Sequence, residues 1–320
     1  MKHWVIGKGG LLGSSMDQIL SDPRSAYQIT TVFNWTSKIN LYRQIDNAVN
    51  QFSQYVGNDK WSIYWCAGAG TVRSSEGLLE QETNAIEQLL RYTKKYFEDR
   101  LANGQFFFAS SIGAMYSGSS QHPIDEQTEA APAGLYGRQK QKIENLLFDF
   151  AIENNCSLLI GRIANLYGSN QDLAKNQGLI STICKAKILR QPLSIYSELD
   201  TVRNYIYADD AARQIVRHAV SSDTESTEKI ITRLIASKHN YSISAVLKEA
   251  ENVFGEPVDY SLRTNPDPEI YPRNLSVRIR KYEIQTEIES VSLAVGIKNI
   301  RNTLMSAHQM GRLLERKVAV

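Results

Sequence analysis

A tyrosine and a lysine four residues apart, Tyr136 and Lys140, have the clearest potential for chemistry in the sequence. They lie in a segment predicted to be helical, Gly134–Asn154, so the spacing puts both side chains on one helix face. A tyrosine with a pKa of roughly 10 is a poor base at neutral pH, but a nearby ammonium stabilises the phenolate and lowers that pKa. The spacing is common in helices, so it indicates acid/base chemistry only together with other groups.

Two serines provide such a group. Ser110 and Ser111 follow a predicted strand, Phe106–Ala109, upstream of Tyr136. A hydroxyl at this place can donate a hydrogen bond to a substrate oxygen opposite the tyrosine. We predict this role for Ser111, with Ser110 as the alternative, while both could equally cap the end of the strand.

A glycine-rich turn follows the first predicted strand at the N-terminal end of the sequence. Gly7, Gly10 and Gly13 are spaced G-x-x-G-x-x-G, and Leu11 and Leu12 open the helix that follows. Glycines let the backbone turn tightly and approach a pyrophosphate, and the helix N-terminus offers free amides to the phosphates. The turn therefore predicts a dinucleotide site.

The residues after the second predicted strand, Tyr27–Phe33, bear on the choice of dinucleotide. An acidic residue there would bind both ribose hydroxyls and select NAD. Asn34 can hydrogen-bond a ribose without repelling a 2′-phosphate, and Lys38 could bind such a phosphate. NAD and NADP both stay open as cofactors, and an ordinary solvated loop is the alternative for this segment.

The elements that must position these residues alternate between strand and helix, which predicts an α/β fold with a doubly wound parallel sheet of the Rossmann type. We predict a dinucleotide-binding part over residues 1–165, to which 203–220 return, and a smaller, mostly substrate-binding lobe over 166–320. The predicted segments that bear on later sections are helices at Asp46–Val56, Glu80–Phe97, Gly178–Arg190, Ser242–Phe254 and Ile297–Lys317, strands at Trp61–Cys66, Ser157–Ile163, Arg203–Tyr207 and Ile230–Ala236, and loops at Ser221–Lys229 and Asn265–Pro272.

Composition excludes several classes of protein. The 320 residues carry 36 Lys and Arg against 34 Asp and Glu, a net charge of +2, which argues against binding nucleic acid by bulk charge. No run approaches transmembrane length, so we expect no membrane partner. The three widely spaced cysteines predict reduced thiols in a cytoplasmic protein, and the scattered histidines show no metal-binding spacing.

Taken together, these motifs resemble the extended short-chain dehydrogenase/reductase family, in its NAD-dependent epimerase/dehydratase branch. The resemblance runs from Gly7 to about Arg278. It implies that Ala67 and Gly68 line the cofactor, that Asn165 contacts a nucleotide-sugar, and that Arg203 and Arg263 bind its diphosphate. Forked guanidinium donors match phosphate oxygens, which makes physical sense of the two arginines.

The resemblance implies hydride transfer at a sugar carbon, C4 by analogy, with Tyr136 as general acid/base, Lys140 holding the cofactor ribose and Ser111 sharing the substrate oxygen. An epimerase and a ketoreductase share this apparatus. Ile112 and Gly113 stand where dehydratases carry Asp-Glu, which disfavours elimination. A non-catalytic NAD(P)-sensing protein and a reductase of a non-nucleotide carbonyl compound are the rival interpretations. Family members often dimerise through two helices, here Glu80–Phe97 and Gly134–Asn154, so a homodimer stays open.

Overall fold

A computed structural model describes residues 1–28, 33–68, 70–172, 178–224, 228–265, 270–280 and 290–313, without the side chains of residues 221–224. In these ranges the strands are β1 (Lys2–Ile6), β2 (Trp61–Trp65), β3 (Gly104–Ser111), β4 (Ser157–Ile163), β5 (Asn165–Tyr167), β6 (Leu193–Ile195), β7 (Val202–Tyr207), β8 (Ile230–Ile235), β9 (Asn240–Ser242), β10 (Tyr260–Leu262) and β11 (Asn274–Leu275). The helices are α1 (Leu11–Ile19), α2 (Lys38–Val56), α3 (Glu76–Phe97), α4 (Ile112–Met115), α5 (Leu135–Glu153), α6 (Leu179–Leu189), α7 (Ala208–Thr224), α8 (Ile243–Phe254) and α9 (Leu293–Gln309).

The main sheet is parallel and has the order β1-β2-β3-β4-β8. Its strands are nearly continuous apolar runs, and all five residues of β2 are buried, because helices cover both faces of the sheet. Side chains alternate between two cores: Trp4, Ile63 and Phe106 face α2, α3 and α5, whereas Tyr64 and Phe107 face α1 and α7. The predicted α/β fold with a parallel sheet is confirmed.

The remaining strands form two small sheets away from this one. β6 pairs with β10, while β7 lies between β5 and β11 and also pairs with β9. A third apolar core joins these strands to α6, α8 and α9. Helix α7 packs on α1. Strand β8 is the edge strand of the main sheet and pairs with β4, although residues 230–235 were predicted to belong to the substrate-binding lobe.

Several predicted boundaries were wrong. Helix α2 begins at Lys38 rather than Asp46, because Leu41 and Ile45 extend its buried face by two turns. Helix α7 continues to Thr224 into the predicted loop, and α9 covers Leu293–Gln309 rather than ending at Lys317. Residues 314–320 and most of the predicted strand Tyr27–Phe33 lie outside the described residues, as does part of the predicted loop Asn265–Pro272.

The turn between β1 and α1 is closed by backbone contacts that only glycine permits. Gly7 has a φ of +96°, and its carbonyl accepts a hydrogen bond from the Gly10 amide at 2.9 Å. A Cβ on Gly7 would lie 2.6 Å from the Ala67 nitrogen, and a Cβ on Gly13 would overlap the Gly7 carbonyl oxygen. The turn thus packs against the chain segment that follows β2.

We expect Gly13→Ala to destabilise the protein although alanine favours helices, because its methyl group would push against the Gly7 carbonyl. Overpacking of this kind costs about 1–3 kcal/mol, more than the gain in helix propensity of about 1 kcal/mol. Gly9→Ala is the matched control, since a Cβ there meets nothing within 4 Å. Urea unfolding measures both variants, and equal stabilities for the two would contradict the packing of the turn.

Candidate active site

The predicted functional residues of the first half gather at one edge of the main sheet. The glycine turn follows β1, Ala67 and Gly68 follow β2, Ser111 ends β3, and Asn165 follows β4 after one residue. Parallel strands end at the same edge, and in open α/β sheets this edge is where ligands bind.

The glycine turn fits the phosphates of a dinucleotide. Helix α1 begins after Gly10, has no side-chain cap and carries no acidic residue in its first turn, which Leu11, Leu12 and Gly13 form. Its first amides are therefore available to an anion, and the helix dipole favours negative charge there. Gly9 and Gly10 are exposed, so among the described residues no side chain fills the space above the turn.

The two residues predicted to face the adenosine ribose lie on the surface. The side-chain oxygen of Asn34 accepts hydrogen bonds from the amide and hydroxyl of Thr36, at 3.1 and 2.7 Å. Lys38 is the first residue of α2, where no acidic side chain occupies the first turn, and its ammonium lies 5.7 Å from the centre of the Tyr42 ring. Their contacts with a cofactor stay predictions.

Tyr136 and Ser111 meet at this edge. Tyr136 lies in the first turn of α5 and is half-buried, and the nearby Ser111 hydroxyl lowers the pKa of its phenol. The Ser111 hydroxyl accepts a hydrogen bond from the Ala114 amide at 3.2 Å and so caps α4. The capping role considered for Ser111 is therefore present, and its role toward a substrate oxygen stays a prediction.

Lys140 lies one turn beyond Tyr136 and is buried. Its ammonium donates to Glu82 Oε1 of α3 at 2.9 Å and to the Ala109 carbonyl at 3.3 Å. The same nitrogen lies 4.7 Å from the centre of the Phe108 ring and 5.8 Å from that of Tyr136. The lysine is thus within electrostatic reach of the phenol but is paired with a carboxylate.

This pairing decides the protonation states. Burial opposes the charge of Lys140, but the Glu82 carboxylate outweighs it and keeps the pKa of Lys140 above its usual value. Burial raises the pKa of Tyr136, Lys140 lowers it, Glu82 raises it again, and the nearby Ser111 hydroxyl lowers it. The net direction is upward, so Tyr136 is a neutral phenol here, although Lys140 acts on it in the predicted sense.

Ser110, the alternative to Ser111, is hydrogen-bonded to a different side chain. Its buried hydroxyl donates to Glu144 of α5. Glu144 also forms a buried ion pair with Arg162 of β4, with 2.7 Å between Nη2 and Oε2, and Arg162 donates to the Tyr116 hydroxyl at 2.7 Å. The structure therefore favours Ser111 for the position beside the tyrosine, and Ser110 belongs to the scaffold behind it.

The predicted substrate residues lie on different elements. Asn165 is exposed on β5, and its amide donates to the Asn204 carbonyl at 3.2 Å. Arg203 on β7 donates to the Val202 carbonyl at 2.8 Å, and burial lowers the pKa of its guanidinium. Arg263 is exposed directly after β10, in a different sheet from Arg203. No contact in the described chain joins the two arginines.

Sequence reasoning assigned no role to Glu82 or Glu144. One signal was available for Glu144, because Tyr136, Lys140 and Glu144 recur every four residues and must share a helix face. Glu82 lies on another helix and gave no local signal. Trp65 of β2 donates its indole N–H to Glu82 Oε1 at 3.3 Å.

No helix in the described ranges has the length and hydropathy needed to cross a bilayer. No group of three or more His, Cys, Asp or Glu side chains in the same ranges is arranged to hold a metal ion.

Comparison with curated proteins gives partial matches. The chain is 32% identical over 196 residues to dTDP-4-dehydro-6-deoxyglucose reductase from Escherichia coli, which is 60% of each protein. It is 28% identical over 125 residues to a putative UDP-glucose 4-epimerase from Methanocaldococcus jannaschii, covering 39% of each. The matches therefore span less than two thirds of these relatives.

Solved structures match over nearly the whole chain. UDP-glucuronic acid 4-epimerase from Bacillus cereus, in complex with UDP-glucuronic acid and NAD, superposes with a TM-score of 0.74 at 19% identity, over 96% of this chain and 99% of that one. RMD from Pseudomonas aeruginosa, complexed with NADPH, gives 0.74 at 14% identity, over 95% and 99%. At such identities the likeness establishes the fold.

A sequence model described as the NAD dependent epimerase/dehydratase family matches residues 4–232, well over half of the chain. This match includes the glycine turn, Ser111, Tyr136, Lys140 and Arg203. The resemblance identified from the motifs is confirmed, and the chain belongs to the NAD-dependent epimerase/dehydratase family.

Proposed function

We propose that the protein is an NAD(P)-dependent nucleotide-sugar epimerase or ketoreductase that transfers a hydride at a sugar carbon, C4. The observation that carries this proposal is the placement of Tyr136 on α5, with the buried Lys140 ammonium 5.8 Å from its ring and the Ser111 hydroxyl near enough to lower its pKa. A proton donor and a second hydroxyl thus converge where the parallel strands end.

In this proposal the bound nicotinamide cofactor supplies or accepts the hydride. Tyr136 exchanges a proton with the sugar hydroxyl or ketone oxygen as general acid/base. Ser111 shares the hydrogen bond to that oxygen and holds it near the phenol. Lys140 stabilises the phenolate when it forms and binds the cofactor ribose.

The cofactor is held by the turn formed by Gly7, Gly10, Leu11, Leu12 and Gly13, together with Ala67 and Gly68. Amides of the α1 N-terminus bind the pyrophosphate, because no acidic residue or side-chain cap competes for them. Asn34 binds the adenosine ribose, and Lys38 would contact a 2′-phosphate. Both NAD and NADP complexes occur among the structural neighbours, so either cofactor is consistent with the fold.

In this proposal Asn165, Arg203 and Arg263 bind the substrate. Arg203 has no carboxylate partner among the described residues, and burial disfavours its charge, so a diphosphate would satisfy a cation that the protein leaves uncompensated. This arrangement favours a nucleotide-activated sugar over a small carbonyl compound. The curated relatives, a deoxysugar reductase and a sugar-nucleotide epimerase, support the same substrate class.

The division of the chain follows from these assignments. Residues 1–165 with 203–220 bind the cofactor, and most of 166–320 contributes to the substrate lobe. A regulatory protein that only senses NAD(P) is disfavoured, since sensing does not require a tyrosine close to both a serine and a lysine.

A homodimer through α3 and α5 accords with the exposed Phe148 and Ile152 on α5. The cytoplasmic location stays a prediction.

We expect Tyr136→Phe to reduce turnover by at least about 100-fold, the usual contribution of a general acid/base. Cofactor affinity should stay nearly unchanged, because the phenyl ring keeps its packing. UDP-glucose, UDP-glucuronic acid and dTDP-4-dehydro-6-deoxyglucose serve as test substrates, with cofactor binding followed by fluorescence. Tyr92→Phe on α3 is the control, and near-normal turnover by Tyr136→Phe would remove the assignment.

Arg203→Ala should raise KM for the nucleotide-sugar by about ten-fold or more, since a charge-assisted hydrogen bond contributes roughly 1.5–3 kcal/mol. The KM for the cofactor should change little. Steady-state kinetics with each substrate varied in turn measure both values. Equal increases in the two would contradict a role at the substrate diphosphate.

The cofactor that copurifies separates the two reactions. An epimerase recycles its cofactor in place and gains from tight binding, so we expect near-stoichiometric NAD to be released on denaturation if the protein is an epimerase. An empty site that binds NADPH would favour a ketoreductase and a contact with Lys38. Mass spectrometry of the released nucleotides decides, and a site that binds neither form would contradict the proposed cofactor site.

A further inference from the structure

Glu82 lies at the centre of the site although no part of the proposed reaction uses it. Its Oε1 accepts from the Lys140 ammonium at 2.9 Å and from the Trp65 indole at 3.3 Å. Side chains of both Glu82 and Lys140 are only 5% exposed, so water screens their interaction little. This ion pair joins α3 to α5 directly behind Tyr136.

The second carboxylate oxygen of Glu82 is costly to bury. Oε2 has no hydrogen-bond partner in the described chain and is inaccessible to water. It lies under the turn that follows β2, since a Cβ on Gly68 would be 3.3 Å from both carboxylate oxygens. A purely structural ion pair would be expected to satisfy both oxygens, because an unpaired buried acceptor destabilises the fold.

The charges around Tyr136 are few. The pKa of Tyr136 is affected by Lys140 on the same helix and by Glu82 on α3. The Ser111 hydroxyl at the end of β3, which also acts on it, is uncharged. Lys140 is affected by Glu82, Tyr136 and, more weakly, Glu144 of α5. With Glu82 ionised, the Lys140–Glu82 pair is neutral overall, so the phenol meets a dipole rather than a full positive charge.

We propose that Glu82 is a positioning residue that anchors the Lys140 ammonium and balances its charge, so that Tyr136 is held as a neutral proton donor. The inference rests on the proposed function of Tyr136. In this proposal a carboxylate on a different helix controls whether the phenol or the phenolate is favoured. Any weakening of the Lys140–Glu82 interaction would favour the phenolate, because Lys140 would then act on it with a full positive charge.

The test is a direct titration of the Tyr136 phenol in the ligand-free, full-length protein. Tyrosine labelled with ¹³C at Cζ reports ionisation by NMR, and the Tyr136 resonance is the one lost in Tyr136→Phe. We expect Glu82→Gln to lower the midpoint by about one pH unit or more, because Lys140 then acts on the phenol unopposed. A folded Glu82→Gln protein with the wild-type midpoint would overturn the proposal.

Two controls separate this effect from a loss of structure. Glu80→Gln removes the same charge from an exposed position on α3, and Glu144→Gln breaks the other buried ion pair of α5. Both should leave the Tyr136 midpoint within about 0.3 pH units, since neither glutamate faces the phenol. A shift in either variant as large as that of Glu82→Gln would assign the effect to general charge or packing and overturn the proposal.

A further variant covers the case in which Glu82→Gln does not fold. Glu82→Asp keeps the charge but withdraws it by one methylene from Lys140 and Tyr136, so the midpoint should fall in the same direction by a smaller amount. An unchanged midpoint in that variant would then overturn the proposal. The acid/base role of Tyr136 is tested separately by the activity of Tyr136→Phe. If that variant is inactive while the Glu82 variants leave the Tyr136 midpoint unchanged, only the role of Glu82 is refuted.

Discussion

The parallel pairing of β1, β2, β3 and β4 is the constraint on which the site depends. Ile6 pairs with Trp65, Trp65 with Phe108, and Ser111 with Ile163, so these strands end within a few residues of one another. The segments that leave the strands must therefore share one edge of the sheet. Residues far apart in sequence meet there because apolar strands, buried on both faces, hold their register through the core.

Helix α5 brings ionisable side chains to this edge of the sheet. Its residues at every fourth position carry a phenol, an ammonium and a carboxylate, and the last two are buried in ion pairs with α3 and β4. Replacing such pairs by apolar side chains of the same shape is often neutral or stabilising, so stability alone does not account for them. The two pairs join α5 to α3 and to β4, and the Lys140–Glu82 pair lies one turn beyond Tyr136.

The sequence was sufficient wherever one local rule decided the structure. The strand Ser157–Ile163 was predicted with its observed bounds, because an apolar run follows two polar residues at a helix end. The start of α2 was missed because only Leu41 and Ile45 of its first two turns are buried, whereas the apolar Ile39 is exposed and obscures the helical spacing. Ser110 and Ser111 could not be separated, since the distinction depends on Glu144 on another element. Glu82 was missed for the same reason, because its partner lies 58 residues away along the chain.

The two proposed reactions use the same groups but differ in proton balance. An epimerase removes a proton from the sugar hydroxyl and returns it to the same oxygen, so Tyr136 must alternate between phenol and phenolate within one turnover. A ketoreductase delivers a proton to the product and needs the phenol restored from solvent. A site that holds Tyr136 neutral before any ligand binds is ready for the second reaction at once, whereas the first needs a phenolate, which a weaker interaction between Lys140 and Glu82 would favour. The readiness of Tyr136 for each reaction therefore depends on the Lys140–Glu82 pair, while the fate of the cofactor separates the two reactions.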